Sequence, residues 1–259
     1  MSGAAPSGKV AIVGASGRMG KMLLEQAWAK GIDATALDRP YADENLAKAC
    51  AEARLVILCV PAASLEEVIL RLEPHLGKSA ILADITSVKE APMRQMEKHW
   101  AGPVVGTHPL FGPTAEPASD RPVAITPGAK AAPEDVAQVE QFFQAIGCRV
   151  FRTDAASHDK AMARIQNMNF ITNLAYFAAL ADQEDLLPFL TPSFERRKQA
   201  AAKMLGEDAA MFAGLFEANS HSHEAVRQFR RILNLAASGE IDLLCQRARW
   251  WWQPERQER

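Results

Sequence analysis

The sequence has few cysteines, and none of them form a CxxC pair. Cys50, Cys59, Cys148 and Cys245 are widely separated along the 259 residues. This spacing indicates neither a zinc knuckle nor a disulfide framework. We therefore expect buried thiols, a reducing compartment and no bound metal.

Long hydrophobic runs and a strong net charge are absent as well. No window approaches 18 uninterrupted apolar residues, and the first eight residues lack the positive and apolar regions of a secretory signal. The formal charge of -2 gives no general attraction to nucleic acid or to an anionic membrane. We expect a cytoplasmic protein whose partner is a small molecule, with no nucleic-acid or membrane partner.

What the sequence does contain is an alternation of strand-like and helix-like segments up to Arg152. Among them, Val104–Thr107 and Pro122–Thr126 are predicted strands. Such alternation is typical of a doubly wound parallel sheet. Beyond it, Ala, Leu, Met, Gln and Arg dominate helical stretches at roughly 158–182, 193–204, 207–235 and 239–250. We predict an α/β Rossmann-type domain over residues 1–152, followed by an all-helical domain over residues 153–259.

A glycine-rich turn lies between the first predicted strand and the first predicted helix, where backbone N–H groups can receive a pyrophosphate. Asp38 ends the second predicted strand, where a carboxylate would accept hydrogen bonds from a ribose, so NAD is the expected cofactor. Arg39 and Arg18 could instead meet a 2′-phosphate, which leaves NADP as an alternative. The predicted cofactor residues are Gly14, Ser16, Gly17, Arg18, Met19, Gly20, Asp38 and Arg39.

Two further segments follow later strands, at the edge where open α/β sheets bind ligands. They are the stretch Asp84-Ile85-Thr86-Ser87-Val88-Lys89 and the loop Thr107-His108-Pro109-Leu110-Phe111-Gly112-Pro113. His108 stands between a buried strand and a rigid Pro/Gly loop, as a proton acceptor beside a cofactor would.

At these two segments the sequence resembles the prephenate dehydrogenase family, and Ser157-His158-Asp159 with Met162 and Gln166 is similar to a further family segment. The resemblance implies oxidative decarboxylation of prephenate, with hydride passing to NAD. It also implies that His108 accepts the hydroxyl proton and that Ser87 hydrogen-bonds near it. The residues expected to bind substrate by this resemblance are Arg227, Arg231, His158 and Gln166.

Some departures from the family pattern keep other substrates open. The segments Asn167-Met168-Asn169-Phe170 and Asn219-Ser220-His221-Ser222-His223 differ from those of relatives, so arogenate and 4-amino-4-deoxyprephenate remain alternatives.

We expect no fused chorismate mutase domain before Lys9. The opening VAIVGASGRMG is also similar to dihydrodipicolinate reductases, whose H-H-x-x-K motif is not found. A non-catalytic NAD-binding regulator is the alternative from another functional class.

We expect a homodimer, because the helical segments carry more apolar surface than a small domain can bury.

Overall fold

The computed structural model describes residues 6–114 and 120–253. The chain divides into two compact units, Met1–Asp159 and Lys160–Arg259. The outer ends of the two predicted domains, residues 1–5 and 254–259, lie outside the described residues. The domain boundary after residue 152 stays a prediction.

The first unit is built on a seven-stranded sheet with the strand order β2-β1-β3-β4-β5-β6-β7. Its strands are β1 (Lys9–Val13), β2 (Ala34–Leu37), β3 (Ala53–Leu58), β4 (Ile81–Asp84), β5 (Val104–Pro109), β6 (Pro122–Pro127) and β7 (Arg149–Arg152). Its helices are α1 (Arg18–Ala29), α2 (Asp43–Cys50), α3 (Leu65–Leu72), α4 (Glu90–His99) and α5 (Pro133–Ala145), with the start of α6 (Ala155–Met162).

Both faces of this sheet are buried, because alternate strand residues point to opposite sides. On β1, Val10 and Ile12 join a core cluster with residues of α1 and α5, whereas Ala11 and Val13 join a second cluster with residues of α2, α3 and α4. Helices on both faces of a mostly parallel sheet make a doubly wound α/β fold, as predicted.

One strand departs from the predicted parallel sheet. β6 runs antiparallel to β5, with His108 opposite Ala124, while β6 and β7 are parallel to each other. A parallel neighbour requires a crossover, usually a helix, whereas an antiparallel neighbour does not. The described residues between β5 and β6 contain no helix, which agrees with the antiparallel direction.

The second unit contains only helices and turns among its described residues. After α6 and a π-helical turn (Ala163–Asn167) come α7 (Met168–Ala179), α8 (Pro192–Ala202), α9 (Ala209–Ala218), α10 (Ser222–Ala237) and α11 (Ile241–Ala248). None of the helices in the described ranges is both long enough and apolar enough to cross a bilayer.

The single helical stretch predicted over residues 207–235 is wrong, since it is two helices. The backbone turns extended at Asn219, with ψ near 110°, and the Asn219 side chain accepts a hydrogen bond from the His221 N–H at 2.9 Å. An asparagine that bonds the backbone two residues on is a common turn, so it ends α9 and lets α10 begin in a new direction.

Candidate active site

The predicted nucleotide loop connects β1 to α1. Gly14 has φ +81°, and a Cβ atom there would lie 2.5 Å from the carbonyl oxygen of Cys59. A Cβ on Gly20 would overlap the backbone of Gly14. Side chains are therefore excluded where the loop, strand and helix approach one another, and α1 begins directly after Gly17. This arrangement leaves the positive end of the helix facing a phosphate position, so the loop fits a dinucleotide.

Asp38, at the end of β2, lies against this loop. Both of its carboxylate oxygens accept from the Ser16 N–H at 3.0 Å, and Oδ1 accepts from the Ser16 hydroxyl at 2.8 Å. The structure thus brings together Ser16 and Asp38 of the predicted cofactor residues. Arg18 and Met19 begin α1, and Arg39 extends to an ion pair with Glu67 at 3.2 Å.

A buried lysine joins the ends of β4 and β5. The Lys89 ammonium donates to the Asp84 carboxylate at 2.5 Å and to the Thr107 carbonyl oxygen at 2.6 Å, and the Thr86 hydroxyl also donates to Asp84. Lys89 and Asp84 are completely buried. Burial lowers the pKa of Lys89, and the charge of Asp84 opposes that shift. Because Thr107 precedes His108, this ion pair fixes the strand end that carries the histidine.

Asp159, in the middle of α6, is held by the backbone that follows β4. Its carboxylate accepts from the N–H of Lys89 at 2.7 Å and from the N–H of Glu90 at 2.9 Å. Burial alone would raise the pKa of Asp159, but hydrogen bonds from His158 and from these two N–H groups outweigh it and lower the pKa below its ordinary value. Asp159 is therefore ionised and can only accept hydrogen bonds.

The two histidines and Asp159 form a hydrogen-bonded row. His158 Nδ1 lies 2.7 Å from Asp159 Oδ1, and His158 Nε2 lies 2.9 Å from His108 Nδ1. Since the carboxylate only accepts, Nδ1 of His158 donates; in its neutral form His158 then accepts at Nε2, so Nδ1 of His108 donates. This assignment leaves a lone pair on Nε2 of His108, which makes no hydrogen bond with the residues that the structure describes.

The surroundings of His108 favour its neutral form. Burial lowers the pKa of His108 well below its ordinary value of 6.5, and His158 and Lys89 lower it further. The ring is 3% exposed. At neutral pH, His108 is therefore a proton acceptor rather than a cation, as the expected role requires.

Of the other predicted substrate and catalytic residues, one lies in the first unit and three lie in the second. Ser87 is half-buried in the segment between β4 and α4, and no hydrogen bond of its side chain is seen among the described residues. In the second unit, Gln166 lies in the π-helical turn, whereas Arg227 and Arg231 lie on the exposed side of α10. Arg227 Nε donates to Glu224 at 2.8 Å. The roles of these four residues stay predictions.

Sequence reasoning gave no role to Lys89, Asp84 or Asp159, although all three stand in the motifs that it quoted. One signal was available: an aspartate that ends a buried strand is followed five residues later by a lysine. Asp and Lys are rarely fully buried unless they are paired, so an aspartate at the end of a buried strand requires a partner such as this lysine. The partner of Asp159 lies 70 residues earlier in the chain, and no local pattern indicates it.

Comparison with known proteins agrees with this geometry. A family model described as the nucleotide-binding domain of prephenate dehydrogenase matches residues 23–152, which is half of the chain. The chain belongs to the prephenate dehydrogenase family. The resemblance seen in the sequence is thereby confirmed.

Relatives of this family align with most of the chain. The T-protein of Enterobacter agglomerans is 29% identical over 227 residues, which cover 85% of this chain and 59% of the T-protein. The probable arogenate/prephenate dehydrogenase of Methanocaldococcus jannaschii is 28% identical over 178 residues, covering 66% of this chain and 40% of that protein. The chain therefore spans less than two thirds of the length of these relatives.

Solved structures show the same fold. Arogenate dehydrogenase from Synechocystis superimposes with a TM-score of 0.78 at 20% identity, covering 94% of this chain and 97% of that one. Prephenate dehydrogenase from A. aeolicus, in complex with hydroxyphenyl propionate and NAD+, gives 0.74 at 18% identity, covering 93% and 94%. The predicted fold class, a Rossmann-type domain followed by helices, is confirmed.

Proposed function

We propose that the chain is an NAD-dependent dehydrogenase that converts prephenate to 4-hydroxyphenylpyruvate by oxidative decarboxylation, a step of tyrosine biosynthesis. The observation that carries the proposal is the hydrogen-bonded row of Asp159, His158 and His108, which leaves Nε2 of His108 to accept a proton at the sheet edge that also holds the glycine-rich loop. Family membership and the relatives named for prephenate and arogenate support the choice of reaction.

The proposed reaction combines hydride transfer to NAD+ with proton transfer at His108. NAD+ supplies the acceptor for the hydride that leaves the ring carbon bearing the hydroxyl. His108 Nε2 accepts the hydroxyl proton as the oxygen becomes a carbonyl, and it returns a proton to that oxygen when the ring carboxylate leaves as CO2 and the ring becomes aromatic. Loss of CO2 and aromatisation supply the driving force, so the protein chiefly orients the ring and stabilises charge.

The row of Asp159 and His158 orients the base. Ionised Asp159 fixes which nitrogen of His158 carries hydrogen, and His158 in turn fixes His108. Both ring nitrogens of His158 are used in this row, which favours a positioning role over the expected contact with substrate. A histidine held in one tautomer by a carboxylate keeps its proton-accepting nitrogen directed at the reacting atom.

The substrate is a dianion and requires cations. We propose that Arg227 and Arg231 bind its carboxylates, because an arginine can hold a carboxylate with two parallel hydrogen bonds. Ser87 and Gln166 complete the proposed set of substrate contacts. The proposal also includes a cytoplasmic homodimer and a small-molecule substrate, without nucleic-acid or membrane partners.

The experiment that tests the function measures reduced-nicotinamide absorbance. Purified protein is supplied with NAD or NADP and, in parallel, with prephenate, arogenate or 4-amino-4-deoxyprephenate. Turnover of prephenate with NAD is expected. Turnover of either other compound would support the same type of reaction with a different substrate. No turnover with any of the three compounds, despite measured NAD binding, would favour a non-catalytic regulator.

A further inference from the structure

The end of β2 carries two adjacent residues with opposite effects on a 2′-phosphate. Asp38 is held against the loop by three hydrogen bonds from Ser16, so its negative charge is fixed near the ribose position. A phosphate on that ribose would be repelled by this carboxylate, whereas a cation from Arg39 could compensate. The position of the Arg39 side chain therefore affects how strongly the site disfavours NADP.

The structure records Arg39 in an ion pair with another element. Its Nη2 atom lies 3.2 Å from Glu67 Oε2 at the start of α3, and both side chains are more than half exposed. The Arg39 guanidinium also lies near Tyr41: burial raises the pKa of the Tyr41 hydroxyl, and the charge of Arg39 partly opposes the rise. The guanidinium thus has partners other than Asp38.

We infer that Glu67 is a cofactor-specificity residue, which holds Arg39 in an ion pair and so leaves Asp38 to disfavour a 2′-phosphate. The inference rests on the proposed binding of NAD, and it concerns which dinucleotide this site takes. An exposed ion pair is weak, so Glu67 adjusts the preference between NAD and NADP and does not create it.

Glu67→Ala tests this role, and Glu66→Ala is the matched control. Glu66 is the neighbouring carboxylate on α3, but its partners are Lys98 and His99. Calorimetric titration of the purified full chain with NAD+ and with NADP+ gives both affinities without any need for turnover. We expect Glu67→Ala to tighten NADP+ binding by about 1.5- to five-fold, the range that an exposed ion pair can supply, with NAD+ affinity nearly unchanged. Glu66→Ala should alter neither.

The double variant Glu67→Ala/Arg39→Ala separates Arg39 from a general charge effect. Loss of the NADP+ gain in this variant would support the inference, because the gain requires the freed guanidinium. A gain that survived without Arg39, or an equal gain in Glu66→Ala, would overturn it. If the unmodified chain binds NAD+ but Glu67→Ala does not change the NADP+ affinity, only the inference about Glu67 fails. If the unmodified chain binds neither dinucleotide, the proposed function fails, and the inference fails with it.

Discussion

His108 and His158 share one hydrogen bond, with Nδ1 of the first 2.9 Å from Nε2 of the second. The two ring planes are inclined by 68°, so the rings meet edge to face. This contact connects the end of β5 to the middle of α6 and, through His158, to ionised Asp159. The proton-accepting nitrogen of His108 is therefore set by groups 50 residues away in the chain.

Replacing His108 with asparagine should remove the base and keep a polar side chain of similar reach. We expect kcat to fall by about 10²- to 10⁴-fold, the usual contribution of a general base. NAD+ affinity, measured by calorimetry, should remain nearly unchanged, because the glycine-rich loop and Asp38 are intact. Activity close to that of the unmodified chain would make His108 a structural residue.

Much of this site follows from local sequence, and some of it cannot. His108 was predicted because a buried strand and a Pro/Gly loop surround it, and Gly14 and Asp38 because their spacing is local. Side-chain alternation does not indicate the antiparallel direction of β6, because it is the same in either direction; the short connection after β5 was the available signal. The burial of Lys89 depends on Asp84 and on the strand end at Thr107, so it appears only when β4 and β5 are adjacent.

The pH dependence should report the neutral state of His108. Because burial, His158 and Lys89 all lower its pKa below 6.5, kcat/KM should stay level from pH 7 to 6.5 and fall only at lower pH, where His108 becomes protonated. His158→Phe removes the positive charge that His158 carries when it is protonated, which is one cause of the lowered pKa of His108, so the acid limb should move to higher pH. The same change removes the hydrogen-bond acceptor of His108 Nδ1, so kcat should drop. Ser157→Ala, an exposed neighbour, should leave the profile unchanged. An unmoved limb in His158→Phe would contradict the coupling of the two rings.

Lys89→Met should test the buried ion pair. Removing one partner leaves the Asp84 carboxylate buried without its cation, so we expect the free energy of unfolding to fall by about 3–5 kcal/mol in urea titrations. The control Lys9→Met breaks the exposed Lys9–Glu52 pair and should change stability little. The double variant Lys89→Met/Asp84→Leu should recover part of the loss, because no unpaired charge remains. Equal stability of Lys89→Met and Lys9→Met would show that the buried pair contributes no more than a surface one.

Arg227→Ala should chiefly raise the KM for the cyclohexadienyl substrate. A hydrogen bond to a charged group contributes about 1.5–3 kcal/mol, which corresponds to about a 10- to 100-fold change in KM if binding is lost equally in ground and transition states. Arg247→Ala, an exposed arginine on α11, is the matched control and should leave KM unchanged. If KM does not respond to Arg227→Ala, the carboxylate anchor is elsewhere, and Arg231→Ala becomes the informative variant.

The exposed apolar surface of the second unit predicts self-association. Thirteen of the sixteen large hydrophobic side chains that are exposed in the described residues belong to it, including Leu187 at 63% and Phe189 at 77% exposure. Exposed apolar surface of this kind is a sign of an interface, because water-exposed apolar area is costly. Sedimentation should therefore give a dimer, and Phe189→Lys should shift it towards monomer, while the control Leu70→Lys in the first unit, 54% exposed, should not. A monomer at all concentrations of the unmodified chain would contradict the homodimer, and a dimer that Phe189→Lys leaves intact would place the interface away from this surface.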